Sequence, residues 1–304
     1  MSPEFRSGVV AVIGRPNAGK SSLMNRILRY RLSIVTPKPQ TTRDNILGLY
    51  NEEGCQILFV DTPGIHKPVD KLGERLVDRA VSELDEADVA LFVVTVRDKP
   101  TGAENAGIIE RLKACSSPVV LAINKVDLPG SKAAILPVID SFVKKMSFAD
   151  VVPVSARDGT NCDALVKVLE GLLPVAPPMY PDDMITDRPE KFIASEIIRE
   201  KVMSFTEEEV PHSVAVEIDE YLSPDEYPER RSLKVRATIY VEREGQKAIV
   251  LGHKGEKIKA IGASARRSLE DLTGHRTYLD LWVKVNRGWR DSESELKRLG
   301  YGKD

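Results

Sequence analysis

Residues 14–21 form the pattern G-x-x-x-x-G-K-S, whose glycines, lysine and serine suit the binding of nucleotide phosphates. The apolar residues 9–13 before it are typical of a buried parallel strand, and apolar residues at helical spacing follow from Leu23. A loop between a strand and a helix points backbone N–H groups and the positive helix end at phosphate. Lys20 can then reach the β- and γ-phosphates while the Ser21 hydroxyl binds Mg²⁺. A glycine-rich turn that binds nothing is the alternative, and both flanks disfavour it.

Two further segments offer groups to the same magnesium ion and phosphates. Residues 57–60 indicate a strand that leads into Asp61-Thr62-Pro63-Gly64, where Asp61 can hold Mg²⁺ through water and the Gly64 N–H can bond the γ-phosphate. The polar loop 33–45 contains Thr42, whose hydroxyl can reach Mg²⁺ when a γ-phosphate is present. We therefore predict a metal site formed by Ser21, Thr42 and Asp61. The predicted catalytic residues are Lys20, Thr42 and Gly64.

The segment Asn124-Lys125-Val126-Asp127 follows another strand-like run, residues 119–123, and suits a guanine base. The Asp127 carboxylate can accept hydrogen bonds from guanine N1–H and the exocyclic amine, a donor pair that adenine lacks. The Lys125 stem can pack along the base, and a backbone N–H within residues 155–157 can meet guanine O6. Four motifs in this order predict a guanine-nucleotide switch. The predicted nucleotide-binding residues are Gly14, Arg15, Pro16, Asn17, Ala18, Gly19, Lys20, Ser21, Ser22, Asp61, Thr62, Pro63, Gly64, Asn124, Lys125, Asp127, Ser155, Ala156 and Arg157.

The elements that must position these motifs alternate between strand-like and helix-like patterns as far as residue 174. Candidate strands cover residues 9–13, 57–61, 89–96, 119–123 and 151–155. Strands that alternate with helices predict an α/β domain, a mostly parallel sheet with helices on both faces. Ligands of such sheets bind at the carboxyl ends of the strands, where each motif above lies. Residues 1–7 show no periodicity and are left out of this prediction.

A length of 304 residues favours two domains. The longest strongly apolar run, residues 89–96, is too short to cross a bilayer, and no signal peptide is visible. The three cysteines lack the spacing of metal ligands. These features predict a cytoplasmic protein.

The charge of the chain is distributed unevenly near its carboxyl end. Residues 187–229 contain 4 basic and 13 acidic side chains, whereas residues 230–290 contain 15 basic and 6 acidic ones. A local excess of positive charge favours a nucleic-acid partner, although the sequence pI of 6.2 for the whole chain does not. A solvated basic face is the alternative.

A second domain is predicted beyond a proline-dense linker. The boundaries are residues 1–178 for the nucleotide-binding domain, 179–186 for the linker and 187–304 for the second domain, an α+β domain. Its order is helix, two strands, helix, turn, helix and strand, and its turn is Gly252-His253-Lys254-Gly255. A Gly-x-x-Gly turn between helices beside an antiparallel sheet resembles a type II KH domain, in which backbone N–H groups meet the phosphates of single-stranded RNA.

The predicted RNA-binding residues lie in and after this turn. Lysines there would add positive charge, and Ile249, Ile258 and Ile261 would form an apolar floor for bases. The predicted set is Gly252, His253, Lys254, Gly255, Lys257, Ile258 and Lys259.

The whole chain from about residue 8 resembles the Era family of bacterial GTPases, a P-loop GTPase domain followed by a KH domain. In the first domain the resemblance rests on residues 14–22, Pro39-Gln40-Thr41-Thr42-Arg43, residues 61–66, residues 124–127 and Ser155-Ala156. In the second domain it rests on residues 194–201, 241–247 and 281–285. The second set is the more specific, because many GTPases share the first. Ala18 departs from the valine that is usual in this phosphate loop.

The resemblance implies a slow GTPase that uses Mg²⁺ with GTP and GDP. It further implies binding to the 3′ end of 16S rRNA, a role in assembly of the 30S ribosomal subunit, and peripheral association with the inner membrane. We expect a monomer. Ile65 occupies the position at which other switches carry a water-orienting glutamine, and Asn17 matches a residue that helps to hold a catalytic potassium ion in some relatives. Use of potassium is left open.

Three other functions remain open at this stage. A P-loop phosphotransferase would need an acceptor pocket and a catalytic base, and neither has a sequence signature here. A constitutive RNA-binding protein with a structural nucleotide would bind RNA equally well with GDP and GTP. A related GTPase that acts in tRNA modification would lack the KH signature.

Overall fold

The computed structural model describes residues 4–38, 41–65 and 68–301, and the chain divides into two compact units. The first comprises Met1–Val69 and Gly73–Asp187, and the second comprises Asp70–Leu72 and Arg188–Asp304. Pro39, Gln40 and His66, which carry part of the resemblance described above, lie outside the described residues. None of the helices within the described ranges combines the length and the hydropathy of a membrane-spanning segment.

The described part of the first unit contains a six-stranded sheet with helices on both faces. Its strands are β1 (Arg6–Ile13), β2 (Ile46–Glu52), β3 (Cys55–Asp61), β4 (Val89–Thr95), β5 (Val119–Asn124) and β6 (Asp150–Pro153). Their order is β2-β3-β1-β4-β5-β6, and only β2 runs antiparallel to its neighbour. The helices are α1 (Lys20–Leu28), α2 (Lys71–Glu86, which belongs to this unit from Gly73 onward), α3 (Ala103–Ala114), α4 (Ser131–Val143) and α5 (Cys162–Leu172). The predicted α/β fold is confirmed.

The alternating side chains of the central strands build a separate core on each face of this sheet. Ala11 and Ile13 of β1 pack with Phe92 of β4 in a cluster that helices α2, α3 and α4 cover. On α1 and α5, buried residues such as Leu23 and Leu165 lie outside that cluster. A strand buried on both faces therefore needs apolar residues at nearly every position, which is what the sequence of β4 shows.

The sequence prediction differs from the structure at one edge of this sheet and at the start of β1. The prediction omitted β2, which pairs with β3 from Ile46 opposite Asp61 to Glu52 opposite Cys55. It also omitted the first residues of β1, where Arg6 and Ser7 pair with β3 and the Ser7 side chain is fully buried. Polar residues at strand ends and edges carry no clear periodic signal, so both were missed.

Residues 174–187, at the end of the first unit, run along its sheet. Ser7 donates its N–H to the Pro174 carbonyl at 3.3 Å, and Leu49 donates its N–H to the Ile185 carbonyl at 2.8 Å. The assignment of residues 179–186 as a linker stays a prediction, but the segment has a defined path on β1, β2 and β3.

Gln56 holds this segment through a fully buried side chain. Its Nε2 donates to Asn51 Oδ1 at 2.8 Å and to the Tyr180 carbonyl at 2.9 Å. Its Oε1 accepts the N–H groups of Met179 at 2.6 Å and Tyr180 at 3.0 Å. One glutamine thus satisfies three backbone groups of the segment, which has no regular secondary structure at this point.

We expect Gln56→Met, which keeps the side-chain volume, to release residues 179–186 from the sheet. Because each buried polar group left unpaired costs about 1–3 kcal/mol, the segment will detach and regain water rather than stay in place. Limited proteolysis will then cut the variant within residues 179–186 faster than the parent chain. Gln246→Met, a buried glutamine in the second unit, serves as the control, and equal cleavage of the Gln56 variant and the parent would contradict this role.

The second unit places helices on a three-stranded sheet. Its described elements are α6 (Glu190–Phe205), β7 (Ala215–Leu222), β8 (Leu233–Val241), α7 (Glu244–Leu251), α8 (Glu256–Thr273), β9 (Thr277–Val285) and α9 (Glu293–Arg298). Strands β7 and β8 are antiparallel, whereas β8 and β9 are parallel. The expectation of an antiparallel sheet is therefore wrong for β9, because the connection through α7 and α8 crosses over and returns the chain in the same direction.

Candidate functional site

The first residue of α1, just after the loop from β1, is a buried lysine that forms no ion pair with the described residues. Lys20 is 6% exposed, and its Nζ donates to the carbonyls of Gly14 at 3.2 Å and Arg15 at 3.4 Å. Burial lowers the pKa of Lys20 to about 8, and the nearby Asp61 carboxylate opposes this effect. A phosphate beside the ammonium group would compensate for the lost hydration. The position of Lys20 therefore suits an anionic ligand.

Glycine is required in this loop by close packing as well as by backbone conformation. A Cβ on Gly19, which has a φ of +95°, would lie 2.3 Å from Asn124 Nδ2. A Cβ on Gly14 would lie 2.4 Å from the Val93 carbonyl oxygen of β4. Gly64 similarly abuts the loop, since its Cβ would lie 2.8 Å from the Pro16 nitrogen. These contacts hold the phosphate loop against β4 and against both neighbouring motifs.

Ser21, Thr42 and Asp61 converge, as predicted for a metal site. Ser21 Oγ lies 2.8 Å from Thr42 Oγ1, and Thr42 Oγ1 donates to Asp61 Oδ2 at 3.4 Å. The second carboxylate oxygen of Asp61, Oδ1, is buried and accepts no hydrogen bond from the described residues. Burial raises the pKa of Asp61, and the Lys20 ammonium opposes the rise. Three oxygen donors with one unsatisfied carboxylate oxygen fit a hard divalent cation such as Mg²⁺.

Asn124 connects the phosphate loop to the two segments predicted to contact the base. Its Nδ2 donates to the Ala18 carbonyl at 3.0 Å. Its Oδ1 accepts the Lys125 N–H at 2.7 Å and the Ala156 N–H at 3.1 Å. Lys125 has a φ of +66° and reaches back to donate to the Asn17 carbonyl at 2.9 Å. A buried asparagine at the end of β5 thus fixes the spacing between the phosphate and base regions.

Asp127 is oriented by the segment that follows β6. Ser155 Oγ donates to Asp127 Oδ1 at 2.8 Å, and Arg157 Nε lies 3.2 Å from Asp127 Oδ2. The Asp127 side chain is only 6% exposed, whereas that of Arg157 is 72% exposed and can move aside for a ligand. The carboxylate is therefore held in place by the serine, and its second oxygen is paired with a displaceable group.

The structure distinguishes among the backbone donors expected to meet guanine O6. The Ser155 N–H donates to the Thr160 carbonyl at 3.0 Å, and the Ala156 N–H is bonded to Asn124. Within the described residues the Arg157 N–H has no hydrogen-bond partner. An N–H without a partner is the backbone donor of residues 155–157 that is most readily available to a base oxygen.

In the second unit, the turn after α7 presents backbone and positive charge to solvent. Gly252, Lys254 and Gly255 have φ values of +71°, +47° and +79°. His253, Lys254 and Lys259 are exposed, and Lys257 is half-buried. A Cβ on Gly252 would lie 2.9 Å from the Lys257 nitrogen, whereas one on Gly255 would meet only Ile258 Cγ2 at 3.9 Å. Gly252 is therefore required by packing, and Gly255 leaves open space in front of the turn.

A groove of about 390 Å³ continues from this turn between α8 and the edge strand β9. It is lined by Ile258, Lys259, Gly262, Ala263, Arg266, Thr277, Tyr278, Leu279 and Leu281. Of the expected apolar floor, Ile258 lines the groove, Ile249 is exposed on α7, and Ile261 is fully buried in the core and therefore unavailable to a base. Arg266 and Tyr278, which the sequence analysis missed, supply a cation and an aromatic ring. The helical spacing of 258, 262 and 266 was the signal for this face.

Comparison with known proteins gives a family match in each unit and relatives over the whole chain. The KH domain family model matches residues 209–290, and the family model described as 50S ribosome-binding GTPase matches residues 9–125. GTPase Era of Staphylococcus haemolyticus is 44% identical over 301 residues, which is 99% of each chain. The corresponding protein of Staphylococcus epidermidis is 42% identical over 99% of each chain. The chain belongs to the Era family of GTPases.

Solved Era structures agree with this assignment. The crystal structure of Era in complex with MgGDPNP and nucleotides 1506–1542 of 16S ribosomal RNA matches with a TM-score of 0.94 at 41% identity. The matched region covers 98% of this chain and 100% of the chain of that Era structure. The crystal structure of a single-residue variant of Aquifex aeolicus Era bound to GDP.AlF4- matches with a TM-score of 0.93, also at 41% identity and over 98% of this chain and 100% of that one.

Several side chains within the predicted nucleotide motifs bond to other parts of the protein. Arg15 Nε donates to Asp98 Oδ1 at 2.8 Å, and Asp98 Oδ2 accepts the Thr95 N–H at 2.8 Å. Thr62 Oγ1 donates to the Val12 carbonyl at 2.8 Å. These side chains brace the loop, so any contact of Arg15 or Thr62 with a nucleotide would come from the backbone. Asp98 was not among the residues predicted from the sequence, although its place just after β4 was a signal.

Ile65, in the glutamine position of other switches, belongs to the core of the first unit. It is 5% exposed and packs in the cluster that α2, α3 and α4 cover, and its N–H donates to the Gly14 carbonyl at 3.3 Å. An aliphatic side chain in this position cannot orient water by hydrogen bonding. In this member of the Era family the residue therefore contributes packing next to the phosphate loop.

We expect Ile65→Ala to lower the free energy of unfolding by about 2–5 kcal/mol, as for other buried large-to-small changes. The single-turnover rate of GTP hydrolysis should stay within about threefold of the parent, because no reacting atom loses a hydrogen bond. Calorimetry and single-turnover assays measure the two effects, with Val69→Ala as the control because Val69 is 84% exposed. A hundredfold slower hydrolysis with intact GTP affinity would contradict this assignment.

Proposed function

We propose that the protein is a GTP-hydrolysing switch that binds the 3′ end of 16S rRNA through its second unit and assists assembly of the 30S ribosomal subunit. One observation carries this proposal: the chain joins a guanine-nucleotide site to an exposed Gly-x-x-Gly turn beside a basic groove. Membership of the Era family supports both halves, since an Era relative is solved with MgGDPNP and a 16S rRNA fragment.

In this proposal the nucleotide lies along the carboxyl ends of β1, β3, β5 and β6. Asp127 accepts hydrogen bonds from guanine N1–H and the 2-amino group, and the Arg157 N–H donates to O6. Lys20 and the phosphate-loop backbone stabilise the phosphates, together with the Gly64 N–H. Ser21, Thr42 and Asp61 are the residues that hold Mg²⁺, which neutralises charge on the β- and γ-phosphates when bound.

The absence of a water-orienting side chain at Ile65 supports a slow intrinsic rate, about 10⁻⁴ to 10⁻² s⁻¹ as in unassisted switches. Potassium is a separate question, centred on Asn17. The Asn17 Nδ2 donates to the Pro37 carbonyl at 3.1 Å, so its side-chain oxygen is the atom that a cation would use. Faster hydrolysis in potassium chloride than in sodium chloride, lost in Asn17→Ala, would assign this role.

In the second unit, the backbone of the turn Gly252–Gly255 would contact RNA phosphates while His253, Lys254, Lys257 and Lys259 add positive charge. Ile258 and Tyr278 offer apolar and aromatic surface to bases in the adjoining groove. The proposal further includes action on the 30S subunit, a monomeric state in the cytoplasm and peripheral association with the inner membrane. Family resemblance alone supports these last features, and cell fractionation with ribosome sedimentation tests them.

The experiment that tests the switch measures RNA affinity in two nucleotide states. A fluorescent single-stranded RNA with the 16S 3′-end sequence is titrated with the full chain in Mg²⁺ and either GDP or a non-hydrolysable GTP analogue. We expect at least about tenfold tighter binding with the analogue, a coupling free energy of about 1.4 kcal/mol. Equal affinities would favour the constitutive RNA-binding protein, and no binding in either state would remove the RNA partner. An RNA of shuffled sequence is the control.

A further inference from the structure

Arg26, near the end of α1, bonds to the segment that presents the base-recognition N–H. Its Nε donates to the Ala156 carbonyl at 3.1 Å, and its terminal nitrogen donates to the Arg157 carbonyl. None of the four motifs includes this residue. We propose that Arg26 is a positioning residue that sets the direction of the Arg157 N–H and thereby the recognition of guanine O6.

The direction of the Arg157 N–H follows from the geometry of one peptide group. The Ala156 carbonyl and the Arg157 N–H belong to the same planar trans peptide, so they point in opposite directions. A guanidinium that holds the carbonyl on the α1 side therefore turns the N–H away from α1. Within the described residues this N–H has no partner, whereas the N–H groups of Ser155 and Ala156 are both bonded inside the protein.

The guanidinium is suited to this role because it holds two successive carbonyls. A single hydrogen bond would leave the peptide free to rotate about its flanking Cα atoms, whereas contacts to the carbonyls of Ala156 and Arg157 hold both this peptide and the one that follows it. The planar fork of arginine presents its donors in a fixed geometry, which lysine does not. Gly159 passes close by, since a Cβ there would lie 3.8 Å from Arg26 Cδ.

The rest of the segment is held without Arg26. The Gly159 N–H donates to the Ser155 carbonyl at 2.9 Å, and the Asp158 N–H donates to Ser155 Oγ at 3.3 Å. Ser155 in turn orients Asp127. Loss of Arg26 should therefore disturb the O6 contact while it leaves the contacts of Asp127 with N1–H and the 2-amino group in place.

The position of Arg26 on α1 also fixes the span between base and phosphates. Lys20 and Ser21 open the same helix, and Arg26 lies within the turns that follow. The hydrogen bonds within α1 keep its two ends at a fixed separation. The contact of Arg26 with residues 156–157 therefore also sets the distance between the phosphate site and the base segment. This inference rests on the guanine site proposed above and deepens it.

Three nucleoside diphosphates separate the two base contacts. GDP offers O6, N1–H and the 2-amino group, and IDP lacks only the 2-amino group. The diphosphate of 2-aminopurine riboside lacks both O6 and the N1 proton; the N1 contact belongs to Asp127 in the parent and in the Arg26 variant, so its loss cancels when their preferences are compared. For Arg26→Ala we expect the preference for GDP over the 2-aminopurine nucleotide to fall by about threefold to tenfold, as for the loss of one hydrogen bond. The preference for GDP over IDP should not change. Equilibrium titration of the full chain with Mg²⁺ measures all three affinities.

Arg29→Asn is the matched control, because it removes a guanidinium from the same helix end. Asparagine tolerates the left-handed backbone of Arg29, which has a φ of +52°. Arg26→Gln, which keeps one donor, should lie between the parent and Arg26→Ala and replaces it if the alanine variant fails to fold.

Other results would overturn the inference. Equal weakening of all three nucleotides would give Arg26 a general structural role, and unchanged affinities would give it none. A fall in both preferences would show that the whole segment had moved. If the parent chain itself fails to prefer GDP over the 2-aminopurine nucleotide, the proposed guanine site is wrong, and the role of Arg26 falls with it.

Discussion

Asp127→Asn should exchange a guanine preference for a xanthine preference. Guanine offers two donors, N1–H and the 2-amino group, to the carboxylate, whereas xanthine has a carbonyl oxygen in place of the amine. An asparagine amide can accept from N1–H and donate to this oxygen. Hydrogen bonds to a charged group contribute about 1.5–3 kcal/mol each. Loss of the bond to the 2-amino group, together with loss of the charge on the bond to N1–H, should weaken GDP binding by about 10 to 10³-fold.

The residues around Asp127 should allow the substitution to change the base preference without disrupting the site. Ser155 Oγ can still donate to the retained Oδ1 of the asparagine, and this fixes the orientation of the amide. The new Nδ2 would then face Arg157, whose exposed side chain loses its ionic partner and can turn to solvent. The backbone N–H of Arg157 is unaffected, so contact with O6, which guanine and xanthine share, should persist.

Displacement of a fluorescent nucleotide by GDP, XDP, IDP and ADP measures this change. Asp140→Asn is the matched control, because Asp140 pairs with Lys144 on the exposed surface of α4, where the side chains are 61% and 69% exposed. We expect that control to bind GDP like the parent. A variant at Asp127 that binds XDP no better than the parent does would refute the role of this carboxylate.

The strands that position the nucleotide site were predictable because burial on both faces gives a strand a clearly apolar sequence. Strands β3, β4 and β5 are buried along their whole length, so their sequences are short continuous apolar runs. The motifs follow these runs, and carboxyl ends of parallel strands meet at one edge. Neither requirement applies to β2, a partly exposed edge strand that contains Gly48.

In the second unit the sequence indicated the strands but not their directions. Alternation of apolar residues marks β9 as a half-buried strand and is the same for parallel and antiparallel pairing. The direction depends on the connection, and two intervening helices are long enough for a crossover. The combined length of α7 and α8 was therefore a sign that β9 runs parallel to β8.

Contacts of arginines with groups far away in the chain were not predictable. Arg15 meets Asp98 and Arg26 meets Ala156, across 83 and 130 positions respectively. An arginine on a helix surface usually stays in solvent, and its sequence neighbours do not show that a loop will pass within reach. Only the folded sheet brings α1 beside the segment after β6.

The other large effect is expected at the Gly-x-x-Gly turn. In Gly255→Asp a carboxylate would project into the open space where RNA phosphates are proposed to lie, at the start of α8. Two like charges about 5 Å apart repel by roughly 3 kcal/mol at an effective dielectric constant of about 20, and salt screening reduces this. We therefore expect RNA affinity to fall by about tenfold to a hundredfold near 0.1 M salt.

The fold should tolerate this substitution, which makes Gly255 a better test than Gly252. Aspartate accepts a left-handed backbone more readily than most residues, and a negative charge is favourable at a helix N-terminus. At Gly252 the close approach of Lys257 would displace backbone instead. GTP affinity and basal hydrolysis should be nearly unchanged in Gly255→Asp, since the nucleotide site belongs to the other unit, and any stimulation of hydrolysis by RNA should fall with RNA affinity.

Gly274→Asp supplies the matched control at the opposite end of α8. Gly274 has a φ of +71° with open space around its Cα, so the same side chain enters the same kind of backbone away from the groove. Lys254→Asn should be milder than Gly255→Asp, because it removes about one phosphate contact and so lowers the slope of log affinity against log salt by about 0.7. Titration of the 16S 3′-end oligonucleotide at several salt concentrations, with the GTP analogue present, measures all three variants. If Gly255→Asp and Gly274→Asp bind RNA equally, the charge of residues 230–290 is a solvated face, and RNA binds elsewhere or not at all.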